Sequence, residues 1–362
     1  MNQDSPETPL RLMTRTTPTA LWNDSCAASE LSASIERNGA VGATCNPVIV
    51  LEVLKKEWPL WRDRILELLR EMPFATEDQV AWRLVEEISV KAAGLLEPIY
   101  WREKGRNGRL SIQTDPRLYR DPVAILAQAE RFSRLAPNMI VKIPVTSAGV
   151  DAIEEATYRG ISINATVSFS LPQAIAVGEA MERGLSRRER AGEDIATMGP
   201  VCTLMVGRLD DWLRVVAEKE NIVADPGVCD WAGVAVMKKA YAIYRERGYR
   251  PRLLSAAFRN HLHWSEFIGG DVVVSPPFRW QERYNASDVE VVDRMQRPVP
   301  PHIVEELLDK FPDFRRAYYE DGMAPADFDT FGPTVRTLRQ FCKATSDLIA
   351  LVRDMMLPNP DA

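Results

Sequence analysis

Residues 138–168, NMIVKIPVTSAGVDAIEEATYRGISINATVS, contain a complete strand-helix-strand pattern. The apolar runs 139–143 and 161–168 are short enough to be buried strands, and the amphipathic residues 149–159 between them have helical spacing. Parallel strands need a crossover connection of this kind, which is usually a helix. The stretch therefore predicts two neighbouring parallel strands joined by a helix.

The same alternation extends over most of the chain. Further strand candidates are 20–24, 40–44, 109–113, 201–206, 252–256 and 271–274, and amphipathic stretches between strands include 121–135, 170–183, 209–219, 231–246 and 262–268. A longer helical region covers about 48–104, with interruptions near Pro59 and Pro73. Eight β/α steps favour a closed barrel over an open sheet. The predicted fold class is α/β, a (β/α)8 TIM barrel with additional C-terminal helices.

The predicted organisation is one domain with three segments. Residues 1–16 are polar and contain proline, which predicts a flexible N-terminal arm, and residues 17–284 form the barrel. Residues 285–362 are predicted to be C-terminal helices that pack on the barrel. A chain of 362 residues fits this plan, because single α/β barrels commonly exceed ~250 residues.

Composition narrows the class of protein. The net charge is −6, and the basic stretch 183–190 is interrupted by Glu189, which favours a solvated helix end over a nucleic-acid site. No 18-residue apolar run and no N-terminal apolar segment occur, so we expect a cytoplasmic protein with neither membrane nor nucleic-acid partners. The five cysteines form no C-x-x-C pair, so neither a disulfide framework nor a zinc site is predicted. The oligomeric state stays open, with a homodimer as one alternative.

Lys142 lies inside an apolar predicted strand. Ammonium groups are almost never fully buried without a partner. An apolar environment lowers the pKa of a lysine and makes its free amine available as a nucleophile toward a carbonyl. Two other interpretations are a structural ion pair and a head group that reaches out to water.

Further polar residues fall near the ends of predicted strands, where barrels of this kind carry their chemistry. They are Asp24, Asn46, Gln113, Asn164 and Thr166. A Schiff-base enzyme needs an acid/base carboxylate, a positioned water and hydrogen-bond partners for sugar hydroxyls, and this set contains each type. Taken singly, Asp24 is also a candidate helix cap, and Asn46 before a proline is a typical turn residue.

Two arginines follow late strands. Arg208 and Arg259 lie in the loops that usually bind phosphate in such barrels, and guanidinium pairs suit its oxygens. Surface salt bridges are the alternative interpretation for each. His261 and His263 could suggest a metal site, but two histidines at this spacing face opposite ways on a helix start, so a structural role is favoured and no metal is predicted.

Seven stretches, in this order, resemble the transaldolase family. They are WNDS (22–25), GATCNP (42–47), GRLSIQTDPRL (108–118), VKIPVTSAG (141–149), GISINATVSFS (160–170), VGRLD (206–210) and FRN (258–260). They extend over about 70% of the chain. The resemblance implies a barrel that moves a dihydroxyacetone unit between sugar phosphates, with no metal or organic cofactor, because the protonated imine serves as the electron sink.

The resemblance also implies a role for each site residue. Lys142 forms the Schiff base, and Asp24 exchanges the proton of the hydroxyl whose carbon leaves as an aldehyde. Thr166 holds the water of imine formation. The remaining positions bind substrate: Asn46 and Asn164 the hydroxyls of the three-carbon unit, Arg208 and Arg259 the phosphate.

Four positions depart from the family pattern. Gln113 occupies the place of a glutamate that polarises the catalytic water, and an amide can orient water but cannot exchange a proton. Fructose-6-phosphate aldolases also have glutamine there, but they add a tyrosine where this chain has Met205. Thr203 and Ala257 replace serines that contact substrate and phosphate. A lyase resembling fructose-6-phosphate aldolase and a barrel that binds sugar phosphates without turnover are therefore the alternatives to a transferase.

Overall fold

Eight parallel strands form the centre of the computed structural model, which describes residues 7–360. The strands are β1 Ala20–Leu21, β2 Gly42–Thr44, β3 Arg109–Gln113, β4 Met139–Pro144, β5 Ile163–Thr166, β6 Val201–Leu204, β7 Arg252–Ser255 and β8 Val273–Val274. They pair in the order β1-β8-β7-β6-β5-β4-β3-β2. The amide of Asn23 donates to the Gly42 carbonyl (2.9 Å) and joins the first strand to the second. The predicted (β/α)8 barrel is confirmed.

Helices alternate with the strands and continue beyond the last one. They are α1 Pro9–Thr16, α2 Ala28–Ala33, α3 Pro47–Lys56, α4 Trp58–Glu71, α5 Glu77–Arg102, α6 Pro122–Ser133, α7 Ser147–Tyr158, α8 Leu171–Arg190, α9 Val206–Glu220, α10 Ala232–Arg247, α11 Leu262–Ser265, α12 Phe278–Asn285, α13 Pro301–Lys310, α14 Pro312–Tyr318 and α15 Gly332–Met356. Side-chain caps fix several starts: Thr146 accepts from Gly149 N–H at α7, and Ser170 from Gln173 N–H at α8. Within residues 7–360, none of the helices has the length and apolarity that a membrane span requires.

The N-terminal segment differs from the prediction. The prediction of a flexible arm over residues 1–16 is wrong for Pro9–Thr16, which form α1, and residues 1–6 lie outside the described residues. Leu10 and Met13 are fully buried on one face of this helix. Their spacing of three residues places both side chains against the barrel, so apolar burial holds a segment whose polar composition suggested an arm.

Strand alternation decides which side chains enter the barrel. In β4, Lys142 shares a face with Ile140, and Ile140 packs inside the barrel with Trp22 and Leu254. Val141, between them, belongs instead to the apolar layer under the helices. Polar residues two positions beyond an interior apolar residue therefore lie at the C-terminal mouth of the barrel, where Lys142 is found.

The last helix crosses back toward this mouth. α15 packs against α3, α5 and α9, and Phe341 of α15 is buried while lining the cavity above the strands. The predicted C-terminal helices thus include one that contributes directly to the site. Its proline-initiated start at Gly332 follows the short 3-10 segment Pro325–Thr330, which redirects the chain.

Candidate active site

A cavity of about 410 Å³ opens at the C-terminal ends of the strands. Seven of the nine predicted site residues line it: Asp24, Asn46, Lys142, Thr166, Thr203, Arg208 and Arg259. The other two, Gln113 and Asn164, are buried on the strands that flank β4, and each pairs in register with Lys142. The structure therefore brings all nine residues to one end of the barrel.

Lys142 is enclosed by the barrel but faces the cavity. Its exposed fraction is only 4%, and among residues 7–360 it forms no ion pair. Burial lowers the pKa of the Lys142 ammonium, and the nearby Asp24 carboxylate only partly offsets that effect. This excludes the salt-bridge and solvent-exposed interpretations and favours a free amine that can attack a carbonyl.

Asp24 follows β1 and accepts a hydrogen bond from the hydroxyl of Thr44, at the end of β2. Burial raises the pKa of the Asp24 carboxyl, although Lys142 and Thr44 act in the opposite direction. It does not cap the following helix, because the residue before α2 is Ala27. A carboxyl with a raised pKa beside an amine with a lowered one can exchange a proton near neutral pH.

Three polar atoms on β3 and β5, the strands that flank β4, lack hydrogen-bond partners among the described residues. They are Oε1 and Nε2 of Gln113 and Oγ1 of Thr166, all of them buried. Buried polar groups are normally satisfied by protein or by ordered water. A donor, an acceptor and a hydroxyl left free around one amine can therefore position a water molecule, although the Gln113 amide cannot exchange a proton with it.

Asn164 is fixed by its neighbours inside the barrel. Its Nδ2 donates to Ser111 Oγ (3.0 Å), and its Oδ1 accepts from Thr203 Oγ1 (2.7 Å). Asn46 caps α3, because its Oδ1 accepts from Ile49 N–H (3.0 Å). Asn46 is therefore a helix cap and not a turn residue, and its Nδ2 has no partner among the described residues.

The two predicted phosphate ligands lie side by side. Arg208 donates to Gln340 Oε1 (2.7 Å), and burial lowers its pKa to about 10, with the Arg259 charge contributing. The Arg259 guanidinium is held by Asp211 through Nε and Nη2, at 2.8 Å each. The salt-bridge interpretation therefore holds for Arg259 and fails for Arg208, which faces no carboxylate within ion-pair distance in the described part of the chain.

His263 hydrogen-bonds to the backbone of the loop that carries Arg259. Its Nδ1 accepts from Arg259 N–H (3.0 Å), and its Nε2 lies 2.8 Å from Asp210 Oδ2. An accepting Nδ1 places the ring proton on Nε2, so a neutral imidazole donates to Asp210. Both side chains are fully buried. The structural role predicted for His263 is confirmed, since both ring nitrogens are occupied.

Several site residues were not predicted from the sequence. Thr44 and Ser111 hydrogen-bond to Asp24 and Asn164, and both occupy inward positions of their strands. Strand alternation counted back from the predicted site residues would have indicated them. Phe341 and Gln340, by contrast, lie on an amphipathic helix, and nothing in the pattern of that helix distinguishes a cavity-lining residue from an ordinary packing one.

The sequence of this chain was compared with protein families and with known proteins. The family model described as Transaldolase/Fructose-6-phosphate aldolase matches residues 21–310. The chain is similar to Transaldolase of Thiobacillus denitrificans, at 33% identity over 249 residues, or 66% of this chain and 68% of the relative. It is also similar to Transaldolase 1 of Streptomyces coelicolor, at 35% over 277 residues (69% and 71%), and to Transaldolase of Thermobifida fusca, at 33% over 238 residues (63% of each). The chain thus spans about two thirds of the length of these relatives, and α15 lies beyond the residues matched by the family model.

Proposed function

The chain belongs to the transaldolase/fructose-6-phosphate aldolase family, and from that premise we propose that it transfers a dihydroxyacetone unit between phosphorylated, or similarly anionic, sugars through a Schiff base on Lys142. One observation carries the proposal: a buried lysine that forms no ion pair within residues 7–360 shares its cavity with the half-buried carboxyl group of Asp24. The family is one of enzymes, and its transaldolase members are transferases.

The reaction begins when Lys142 Nζ attacks the ketose carbonyl carbon. The carbinolamine that results loses water and becomes a protonated imine. Thr166 and Gln113, whose polar atoms have no other partners, hold that water as it leaves and as it returns for hydrolysis. A lowered pKa of Lys142 favours the first step, because only the unprotonated amine is a nucleophile.

Asp24 then accepts the proton of the hydroxyl two carbons from the imine. The bond between that hydroxyl-bearing carbon and the carbon next to the imine carbon breaks, an aldehyde leaves, and the electron pair moves into the imine to give an enamine. On transfer, the enamine attacks an acceptor aldehyde and Asp24 returns the proton to the new hydroxyl. The imine is the electron sink throughout, so the scheme requires no metal or organic cofactor.

Substrate binding is assigned to the residues around these two. The free Asn46 Nδ2 and the Asn164–Thr203 pair face the three-carbon unit, and Arg208 and Arg259 bind the anionic end. A phosphorylated sugar suits a guanidinium that has no carboxylate partner, as Arg208 has none. We further propose a cytoplasmic location, where sugar phosphates are made and consumed.

Gln113 gives specific support to a second candidate, an aldol lyase. After cleavage the enamine has two fates: it is protonated to an imine that water hydrolyses, or it attacks an acceptor aldehyde. A carboxyl group at position 113 could exchange a proton with that water, whereas the Gln113 amide cannot, so the balance between the two fates differs from that of an enzyme with a carboxyl group there. Met205, which lines the cavity as a thioether, supplies no phenol to protonate the enamine. The two activities are separated by whether dihydroxyacetone accumulates from fructose 6-phosphate when no acceptor aldehyde is added.

Borohydride trapping tests the proposal directly. Fructose 6-phosphate or dihydroxyacetone, reduced in the presence of the protein, is expected to add the mass of a reduced three-carbon adduct at Lys142. Lys142→Met is the blank, since methionine has a similar length and no amine. An adduct at another lysine, or no adduct with any ketose of a panel, would refute the Schiff-base proposal and favour a barrel that only binds sugar phosphates.

A further inference from the structure

A second cavity, of about 360 Å³, adjoins the active-site cavity and shares Arg208 and Arg259 with it. Its other lining residues are Asp211, Pro333, Arg336, Thr337 and Gln340. Four of those five residues belong to α15. The two arginines assigned to the anionic end of the substrate therefore form a boundary, with the reacting lysine on one side and the last helix on the other.

The charges around this second cavity do not balance. Asp211 is the only carboxylate in its lining; its Oδ2 accepts from Nε and Nη2 of Arg259, and its Oδ1 lies 3.3 Å from Arg214 Nη1. Arg208 is held by neutral partners, Gln340 Oε1 and Thr337 Oγ1. Arg336 makes neither a hydrogen bond nor an ion pair with any residue in the range 7–360. Arg208 and Arg336 are thus left without an ion-pair partner among the described residues.

These two cations also affect each other. Burial is the main cause of the lowered pKa of Arg208, and the positive charges of Arg259 and Arg336 lower that pKa further. Like charges brought together at the rim of one cavity destabilise the unliganded protein, and a bound anion removes that repulsion. A phosphate monoester carries about −1.5 to −2 charges near neutral pH, which matches two uncompensated guanidiniums better than a carboxylate does.

We propose that Arg336 is a third phosphate-binding residue, and that α15 completes an anion subsite in which Arg208 and Arg336 grip the phosphate of the donor ketose and of the acceptor aldehyde from opposite sides. This inference rests on the proposed function for the identity of the sugar. It gives the C-terminal helix a role in selecting phosphorylated over neutral substrates. The helix lies outside the residues matched by the family model.

The test compares Arg336→Gln with Arg339→Gln. Both side chains are exposed on α15, but Arg339 lines neither cavity, so it is the matched control for loss of one surface charge. Arg336→Gln is expected to lower kcat/KM for fructose 6-phosphate about tenfold, the size of one charge-assisted hydrogen bond at a partly exposed site. The ratio of kcat/KM for fructose 6-phosphate to kcat/KM for unphosphorylated fructose should fall about tenfold in Arg336→Gln and stay at the wild-type value in Arg339→Gln.

A binding measurement keeps the inference separate from catalysis. Titration calorimetry with inorganic phosphate should show about tenfold weaker binding to Arg336→Gln and wild-type affinity for Arg339→Gln. Equal phosphate affinity in wild type and Arg336→Gln, or equal losses with phosphorylated and neutral ketoses, would overturn the subsite. Failure of borohydride trapping in the wild-type protein would refute the proposed function instead, and the phosphate titration would still decide the role of Arg336.

Discussion

Replacing Gln113 by glutamate probes the water site beside Lys142. Gln113 is 2% exposed, pairs in register with Lys142, and has no hydrogen-bond partner for either amide atom among the described residues. Glutamate has nearly the same shape, so Gln113→Glu changes the chemistry of the position and leaves the packing almost intact. We expect the substitution to accelerate imine formation, because a carboxyl group can exchange a proton with the water that the amide can only orient.

Two effects of opposite sign set the magnitude. General acid/base assistance is worth about 10² to 10⁴-fold in rate. Burial at this position favours the protonated carboxyl, but any ionised fraction raises the pKa of Lys142, and a rise of one unit leaves about tenfold less free amine below that pKa. A gain of about 10²-fold from acid/base assistance, divided by a tenfold loss of free amine, gives a net acceleration of about tenfold near neutral pH.

The assay is the rate of adduct formation on Lys142 with dihydroxyacetone and cyanoborohydride, followed by intact-protein mass. Dihydroxyacetone carries no phosphate, so the measurement isolates imine formation from substrate anchoring. Gln113→Met is the matched control: it retains the length of the side chain, removes both hydrogen-bonding atoms, and should trap more slowly than wild type. If Gln113→Glu traps no faster than Gln113→Met, the inference that Gln113 contacts the catalytic water is refuted.

Three further predictions follow from the described contacts. Asp24→Asn removes a charge that holds up the pKa of Lys142, so the acid limb of the trapping profile should move to lower pH, while ketose cleavage falls by about 10² to 10⁴-fold; an acid limb at the wild-type pH would contradict the coupling. His263→Leu removes the donor to Asp210 Oδ2, while Oδ1 keeps the Gly233 N–H, and should cost about 2 kcal/mol in denaturant unfolding. Because the Arg259 amide also loses its acceptor, KM should rise for fructose 6-phosphate and not for dihydroxyacetone. Of the five thiols, only Cys342 is not buried, so one thiol per chain should react with a disulfide reagent in the folded protein and four only after denaturation; reaction of a second thiol before denaturation would contradict this.

The barrel was predictable because its signal is repeated and local. Eight apolar strand segments alternate with amphipathic helices, and an error in one segment would not have changed the assignment. The strand ends were less certain: residues 20–24 were predicted as a strand, whereas β1 is Ala20–Leu21, followed by a single bridge from Asn23 to Ala43. The shorter strand does not change the prediction for Asp24. This residue lies three positions after β1, lines the cavity at the mouth of the barrel, and accepts a hydrogen bond from Thr44.

The N-terminal helix shows where composition misleads. The polar, proline-containing composition of residues 1–16 suggested an arm, yet Leu10 and Met13 on one face of α1 are fully buried. Its start is fixed by Thr8, whose hydroxyl accepts from Arg11 N–H (3.2 Å) with Pro9 in the first helical position. A capping residue before a proline was therefore the available signal, and it carried more information than the average polarity of the segment.

The C-terminal helix shows what sequence patterns could not supply. Strand order fixes where residues of the barrel meet, because consecutive parallel strands present their carboxyl ends on the same side. No such rule relates α15 to a particular strand, and the placement of Gln340 and Phe341 against Arg208 depends on how the helix packs over α3 and α5. A barrel that keeps its lysine and aspartate while a separate helix contacts the phosphate end can change its substrate without changing its chemistry. Substitutions in α15 are therefore expected to change which substrate this protein accepts, whereas substitutions in the strands are expected to change the reaction itself.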